Sequence, residues 1–221
     1  MDPSLQDERR KRTIERALEE IRGMDLEEQA HKGGFTCEAM SGDEHRLVIP
    51  SFGDQLVIDM PGGEMAIPVR IDSLSLRVLA LRYVRLSCGR PESGEWIAYR
   101  DLPGGRFYAA TLVPTVEQPL ARLFGMSRGS LGEVSRELGG ERADYGDEAY
   151  FFRPFPRTPL LLVVHWGDEE FAPDSRILFD RCCSHYLNTD DLKVLATQLT
   201  AYLLKGAGAG GDTENLLWMV E

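Results

Sequence analysis

The chain has 221 residues, 43% of them hydrophobic and 28% charged, with a formal net charge of −11. That composition supports a sizeable core and argues against wholesale disorder, while the negative charge opposes nucleic-acid phosphates unless a basic patch is set apart. No apolar run approaches the ~20 residues that span a bilayer, and Met1-Asp2-Pro3-Ser4 passes straight into charges without a signal-peptide pattern, so a cytoplasmic location is expected.

The first expected element is a helix from Ser4, its cap, to about Gly23. Ile14, Ala17, Leu18 and Ile21 form one apolar stripe on it. Arg9, Arg10, Lys11, Arg12 and Arg16 are interleaved with Asp7, Glu8, Glu15, Glu19 and Glu20, the pattern of a solvated helix face. Asp25 and Glu28 resemble a capping box for a short second helix, which Gly33–Gly34 would stop. The pattern then becomes a β-meander over Phe35–Met40, His45–Pro50 and Gln55–Met60, extended by Glu64–Val69. Hairpin-spaced strands imply antiparallel pairing.

Residues 72–87 read as a helix that is apolar almost all round, with Arg77, Arg82 and Arg85 on the remaining surface. Such a helix belongs at the centre of the fold. A short strand, Glu95–Arg100, comes next. Pro114 is expected to break the segment before helices over Val116–Phe124 and Gly129–Leu138. Residues 139–148 read as a polar loop, and Ala149–Phe155, Leu160–Trp166 and Asp174–Asp180 as strands. Leu160–Val164 lacks alternation, so both its faces should be covered. The last helix, about 190–205, carries Leu192, Leu195, Leu199 and Leu203 on one face, with Thr189 as its cap. The expected architecture is α+β, an antiparallel or mixed sheet packed by a central buried helix, with helices at both ends. Residues 1–205 would form one domain, 206–213 a flexible glycine-rich linker, and 214–221 a short apolar tail.

The chain lacks the phosphate-loop, dinucleotide, His-Glu-x-x-His and nucleophile-elbow motifs. Cys37, Cys88, Cys182 and Cys183 contain no Cys-x-x-Cys and are expected to be free thiols, the last two serving as small buried hydrophobes. Two stretches remain as candidates. The first is the acidic turn after the apolar strand, where His165, Asp168 and Glu169 could ligate a divalent metal, against the plainer reading of a solvated strand exit. The second is Gly94–Asp101, where Glu95, Trp96, Tyr99 and Arg100 could line a pocket shared with His165 and Trp166. The plainer reading there is Trp96 in the core and surface ion pairs around it.

Gly94-Glu95-Trp96-Ile97, Leu102-Pro103-Gly104-Gly105, Pro156-Arg157-x-Pro159-Leu160, Asp168-Glu169-Glu170-Phe171, Leu178-Phe179-Asp180 and Tyr186-Leu187 together resemble an uncharacterised prokaryotic family. It is a domain of unknown function common in anaerobic bacteria and archaea. Some members of that family carry an added four-cysteine segment like that of corrinoid iron–sulfur proteins. Residues 1–34 of this chain contain no cysteine, so that cluster is not carried over and the cofactor stays unknown. The resemblance implies a setting in anaerobic corrinoid or one-carbon metabolism. The leading expectation is a non-catalytic accessory protein that binds a small-molecule ligand or a protein partner, and neither nucleic acid nor membrane. The alternatives are a small metal-dependent enzyme using the 165–170 turn, and a structural subunit docking through its C-terminal tail.

Overall fold

A computed structural model describes residues 3–209, apart from the side chains of residues 3–7, 9 and 10. The side chains of Ser4, Arg9 and Arg10, and so the expected cap and that part of the charged face, lie outside what is described, as do the end of the linker and the apolar tail. Helix α1 (Pro3–Ile21) buries Ala17, Leu18 and Ile21, as its stripe requires. Helix α2 (Leu26–Gly33) is capped by Asp25, whose carboxylate accepts the Glu28 N–H at 2.9 Å. It ends at Gly34 in the left-handed conformation, φ 71°.

The meander forms a four-stranded antiparallel sheet of β1 (Thr36–Ala39), β2 (His45–Ser51), β3 (Asp54–Met60) and β4 (Glu64–Ala66), in that order. Leu47, Ile49, Leu56 and Ile58 face the core. Helix α3 (Leu74–Leu86) is capped by Ser73 and packs on α1, α2 and later α7, so it is the central helix expected from its apolar circumference. Arg77, Arg82 and Arg85 leave its surface to pair with Asp72, Asp191 and Glu20. Tyr83 of α3 stacks on Phe155 and Tyr186, and its hydroxyl donates to Gly33 O (2.5 Å) while accepting the Arg157 N–H (3.0 Å). This accounts for the Pro-Arg-x-Pro stretch: it meets α2 and α3 at one buried phenol, whose titration burial pushes far upward.

The remaining strands make a second antiparallel sheet, in the order β5 (Trp96–Ala98), β9 (Asp174–Asp180), β8 (Leu160–His165), β7 (Glu148–Phe152) and β6 (Glu141–Ala143). The α+β class therefore holds with antiparallel pairing, but the strands divide between two sheets. The physical reason is α3 and the loop after it, which carry the chain away from the meander before the next strand forms. One apolar cluster nevertheless runs from Leu47 and Ile58 of the first sheet to Leu162 and Phe179 of the second. Leu160–Val164 is buried throughout, as its unbroken apolar run demands. Leu160, Leu162 and Val164 face that cluster, while Leu161 and Val163 face a smaller one under Trp96 and Phe151.

Three local expectations differ from the structure. Residues 141–143, expected as loop, form edge strand β6, which presents Glu141 and Arg142 to solvent and so reads as polar chain. The last helix, α7 (Thr189–Gly206), takes Asn188 rather than Thr189 at its cap position, because the Thr189 hydroxyl donates to Pro103 O at 2.6 Å. Pro114 does not break the chain. Helix α4 (Ala109–Leu112) passes through a π-helical turn, Val113–Glu117, into α5 (Gln118–Phe124). A proline donates no backbone hydrogen bond; the wider turn bonds Gln118 N–H to Val113 O, and the Thr115 hydroxyl takes up Thr111 O at 2.7 Å. Helix α6 (Ser130–Glu137) then leads to β6.

Candidate functional site

Strand β5 stops at Ala98, whereas its partner β9 begins four residues before the matching Leu178. The chain leaves the sheet there through a 3-10 turn, Tyr99–Asp101, and doubles back at Leu102-Pro103-Gly104-Gly105. The glycines are forced. Gly104 has φ 76°, and a Cβ on Gly105 would lie 2.0 Å from Tyr99 O. The return brings α4 and the π turn against the uncovered end of β9. Between them lies a cleft of about 520 Å³.

Most of its lining is apolar: Ala98 and Leu178 from the strands, and Ala109, Ala110, Leu112 and Val113 from the helical side. Tyr99, Arg100, Glu117 and Arg176 supply its polar groups. Tyr99 is buried, donates to Thr189 O at 3.3 Å, and has its phenol pushed up to about 12 by burial. Glu117 is the deepest charge, 12% exposed, with Arg176 at 3.7 Å. Burial raises its carboxyl above the ordinary range, Asp174 adds to the rise, and Arg176 and Arg100 oppose it. Arg176 also reaches Asp174 at 3.1 Å, and Arg100 has only Asp101 at 3.9 Å. The Ser175 hydroxyl donates to Glu117 O at 2.6 Å, tying the π turn to β9. Phe107 and Tyr108, exposed immediately before α4, stand in the segment that returns to the cleft.

Of the residues singled out in the sequence, Tyr99 and Arg100 line this cleft. Trp96 lies two residues before Ala98 on the same side of β5, packed with Leu178 into the smaller apolar cluster. It is half-buried, between the core and pocket readings. Glu95 is turned away and grips Arg181 with both oxygens, at 2.6 and 2.5 Å, which holds its carboxyl low. His165 sits across from Asp174 in the β8–β9 register, and its Nδ1 is 3.8 Å from Asp147 Oδ2. Trp166 packs under the Arg128 guanidinium, 4.9 Å from the ring centre, with its indole N–H buried and unpartnered.

The expected metal set does not converge. The Asp168 carboxylate closes its own turn, accepting the N–H groups of Glu170 (2.8 Å) and Phe171 (2.7 Å), while His165 looks back to Asp147. These backbone bonds hold the Asp168 carboxyl low, and nothing joins Glu169 to it. Among the described residues no three His, Cys, Asp or Glu side chains are placed to hold a metal ion. Cys182 and Cys183 are buried free thiols that donate to Arg157 O and Pro159 O, and burial pushes the Cys183 thiol far up. Sequence reasoning missed Glu117 and Arg176. The one local irregularity in the sequence there was Pro114 inside an otherwise helical run.

Fold and site together define an α+β protein of two antiparallel sheets with an apolar cleft at a sheet edge. The family model described as Domain of unknown function (DUF3786) matches residues 25–202, and the chain belongs to that family. No curated protein and no solved structure matches it. No helix among the described residues is long and apolar enough to cross a membrane.

Proposed function

We propose that this chain is a non-catalytic binding protein, an accessory that takes the apolar part of a small ligand or partner into the cleft between β5, β9 and the π turn. The observation that supports this reading is the make-up of the cleft. Six of its lining residues are apolar, and a single carboxyl, that of Glu117, is raised there. An apolar cavity with a few fixed polar groups is the usual form of a ligand site. The π turn agrees, since such turns recur at functional positions. A prokaryotic, cytoplasmic setting in anaerobic corrinoid or one-carbon metabolism belongs to the same proposal and rests on the family resemblance.

The test is fluorescence of the neutral apolar probe N-phenyl-1-naphthylamine on the full chain. Ala110 is exposed at the cleft wall, so Ala110→Trp fills the cavity without entering the core. The probe should light up with the native chain and stay dark with Ala110→Trp at unchanged melting temperature. Equal signals from the two proteins would refute the cleft as the binding site.

A further inference from the structure

The charges at the cleft are unevenly matched. Two guanidinium groups, Arg100 and Arg176, stand in its lining against one carboxyl, the desolvated Glu117, while their other acidic neighbours, Asp101 and Asp174, lie outside the lining. Arg100 is 73% exposed and meets an acid only at 3.9 Å. The Arg176–Asp174 pair is more than half exposed on both sides, the kind of contact that contributes little and exchanges readily. Both arginines therefore have donors to give to an incoming anion. A guanidinium presents a planar fork matched to carboxylate, sulfonate or phosphate oxygens, and the walls beside these two are apolar.

We propose that the ligand of this cleft is an apolar molecule bearing one anionic group, its body lying along Leu112, Val113 and Leu178 and its anion held between Arg176 and Arg100. This inference rests on the binding reading of the cleft and deepens it. It has a consequence for protons. An anion on Arg176 takes from Glu117 its nearest positive neighbour and adds a like charge, so Glu117 must gain a proton as the ligand binds. The charged groups around it are Arg100 and Arg176 in the cleft, Asp174 on β9 and Asp101 beside Arg100; the His165 imidazole stands across from Asp174. Affinity for the anion should rise as pH falls, the direction in which a carboxyl already raised by burial takes up its proton.

The experiment compares two probes of one ring system, neutral N-phenyl-1-naphthylamine and anionic 8-anilinonaphthalene-1-sulfonate, on the full chain. Native protein should prefer the sulfonate by about tenfold, the scale of one charge-assisted contact. Arg100→Gln with Arg176→Gln should erase that preference and leave the neutral probe bound. Glu117→Gln should keep the preference and flatten its pH dependence. Equal affinity for the two probes, or a preference that survives loss of both arginines, would overturn the anion while leaving the cleft as a binding site. A pH slope that persists in Glu117→Gln would overturn the proton coupling. Failure of both probes to bind would overturn the inference and the binding reading together.

Discussion

Asp180, on the inner end of β9, is 1% exposed and yet charged. Its Oδ1 accepts from Ser93 N (3.0 Å), Ser93 Oγ (2.7 Å) and Cys182 N (2.8 Å), and its Oδ2 accepts from Gly94 N (2.7 Å). Burial pushes this carboxyl up, but these donors outweigh it and hold it below the ordinary aspartate value of 3.8. A carboxyl depressed by folding stabilises the protein above its unfolded value, and that contribution is lost as pH falls through the folded value. Asp180→Asn sets an amide N–H₂ against backbone donors and should cost about 2–3 kcal/mol near neutral pH. The gap in melting temperature between the two proteins should begin to narrow below about pH 4, where the unfolded chain's aspartate takes up its proton, and close only below the lower folded value, where the native carboxyl is itself protonated. A gap of constant size down to low pH would show that Asp180 does not act as a charge. The Leu-Phe-Asp stretch thus has a structural explanation: its aspartate pins the loop that enters β5, and with it one wall of the cleft.

Strand β5 is three residues long, and its side chains divide by alternation. Ile97 joins the main core, while Trp96 covers Leu161 and Val163 from the outside together with Phe151 and Leu178. Trp96 is thus the outer cover of the second sheet, with part of its ring in solvent. Trp96→Ala should cost about 2 kcal/mol, less than the ~3–5 kcal/mol of a fully enclosed tryptophan. Urea unfolding measures this directly, and a loss as large as that of an enclosed ring would mean that Trp96 is covered by something further. At the same scale, the helical stretch from α4 to α5 shows how a proline is absorbed when the turn widens. The widening makes Glu117 a wall of the cleft and gives it Arg176 as a neighbour.

The two sheets are joined through the core at Phe52. It occupies the two-residue turn between β2 and β3, where Ser51 pairs with Asp54, and its φ is 49°. A phenylalanine in that region is strained, and an Asn-Gly turn would be the ordinary choice. Its ring is fully buried edge-on to Tyr202 of α7, at 5.3 Å, and its N–H donates to Arg153 O. The burial offsets the strain. Phe52→Ala should therefore cost about 3–5 kcal/mol, since alanine keeps the strained backbone and loses the ring. Because one cluster spans both sheets, we expect denaturant to unfold the body of the chain in a single transition, shifted to lower concentration in Phe52→Ala. A two-step curve for the native chain would show that the sheets fold separately.

Wherever a signal was local and periodic, the residues by themselves determined the structure. The stripe on α1, the Asp25 cap, the meander, the apolar circumference of α3, the unbroken run of β8 and the leucine face of α7 each follow from spacing alone, because burial acts on whichever face the backbone repeat presents. Tyr99 and Arg100, singled out because an aromatic, a cation and acids stand close together in Gly94–Asp101, do line the cleft. Tertiary structure alone decided the rest. It paired β5 with β9, some eighty residues further along the chain, and set the charged edge of β6 in a strand. It also placed Glu117 against Arg176 across fifty-nine positions. Such pairings depend on which loops close and which surfaces meet, and the chain between them carries no periodic trace of either. The acidic turn shows the reverse case. It looks like a metal site in sequence because its ligand types are adjacent, but in the fold the Asp168 carboxylate satisfies its own backbone.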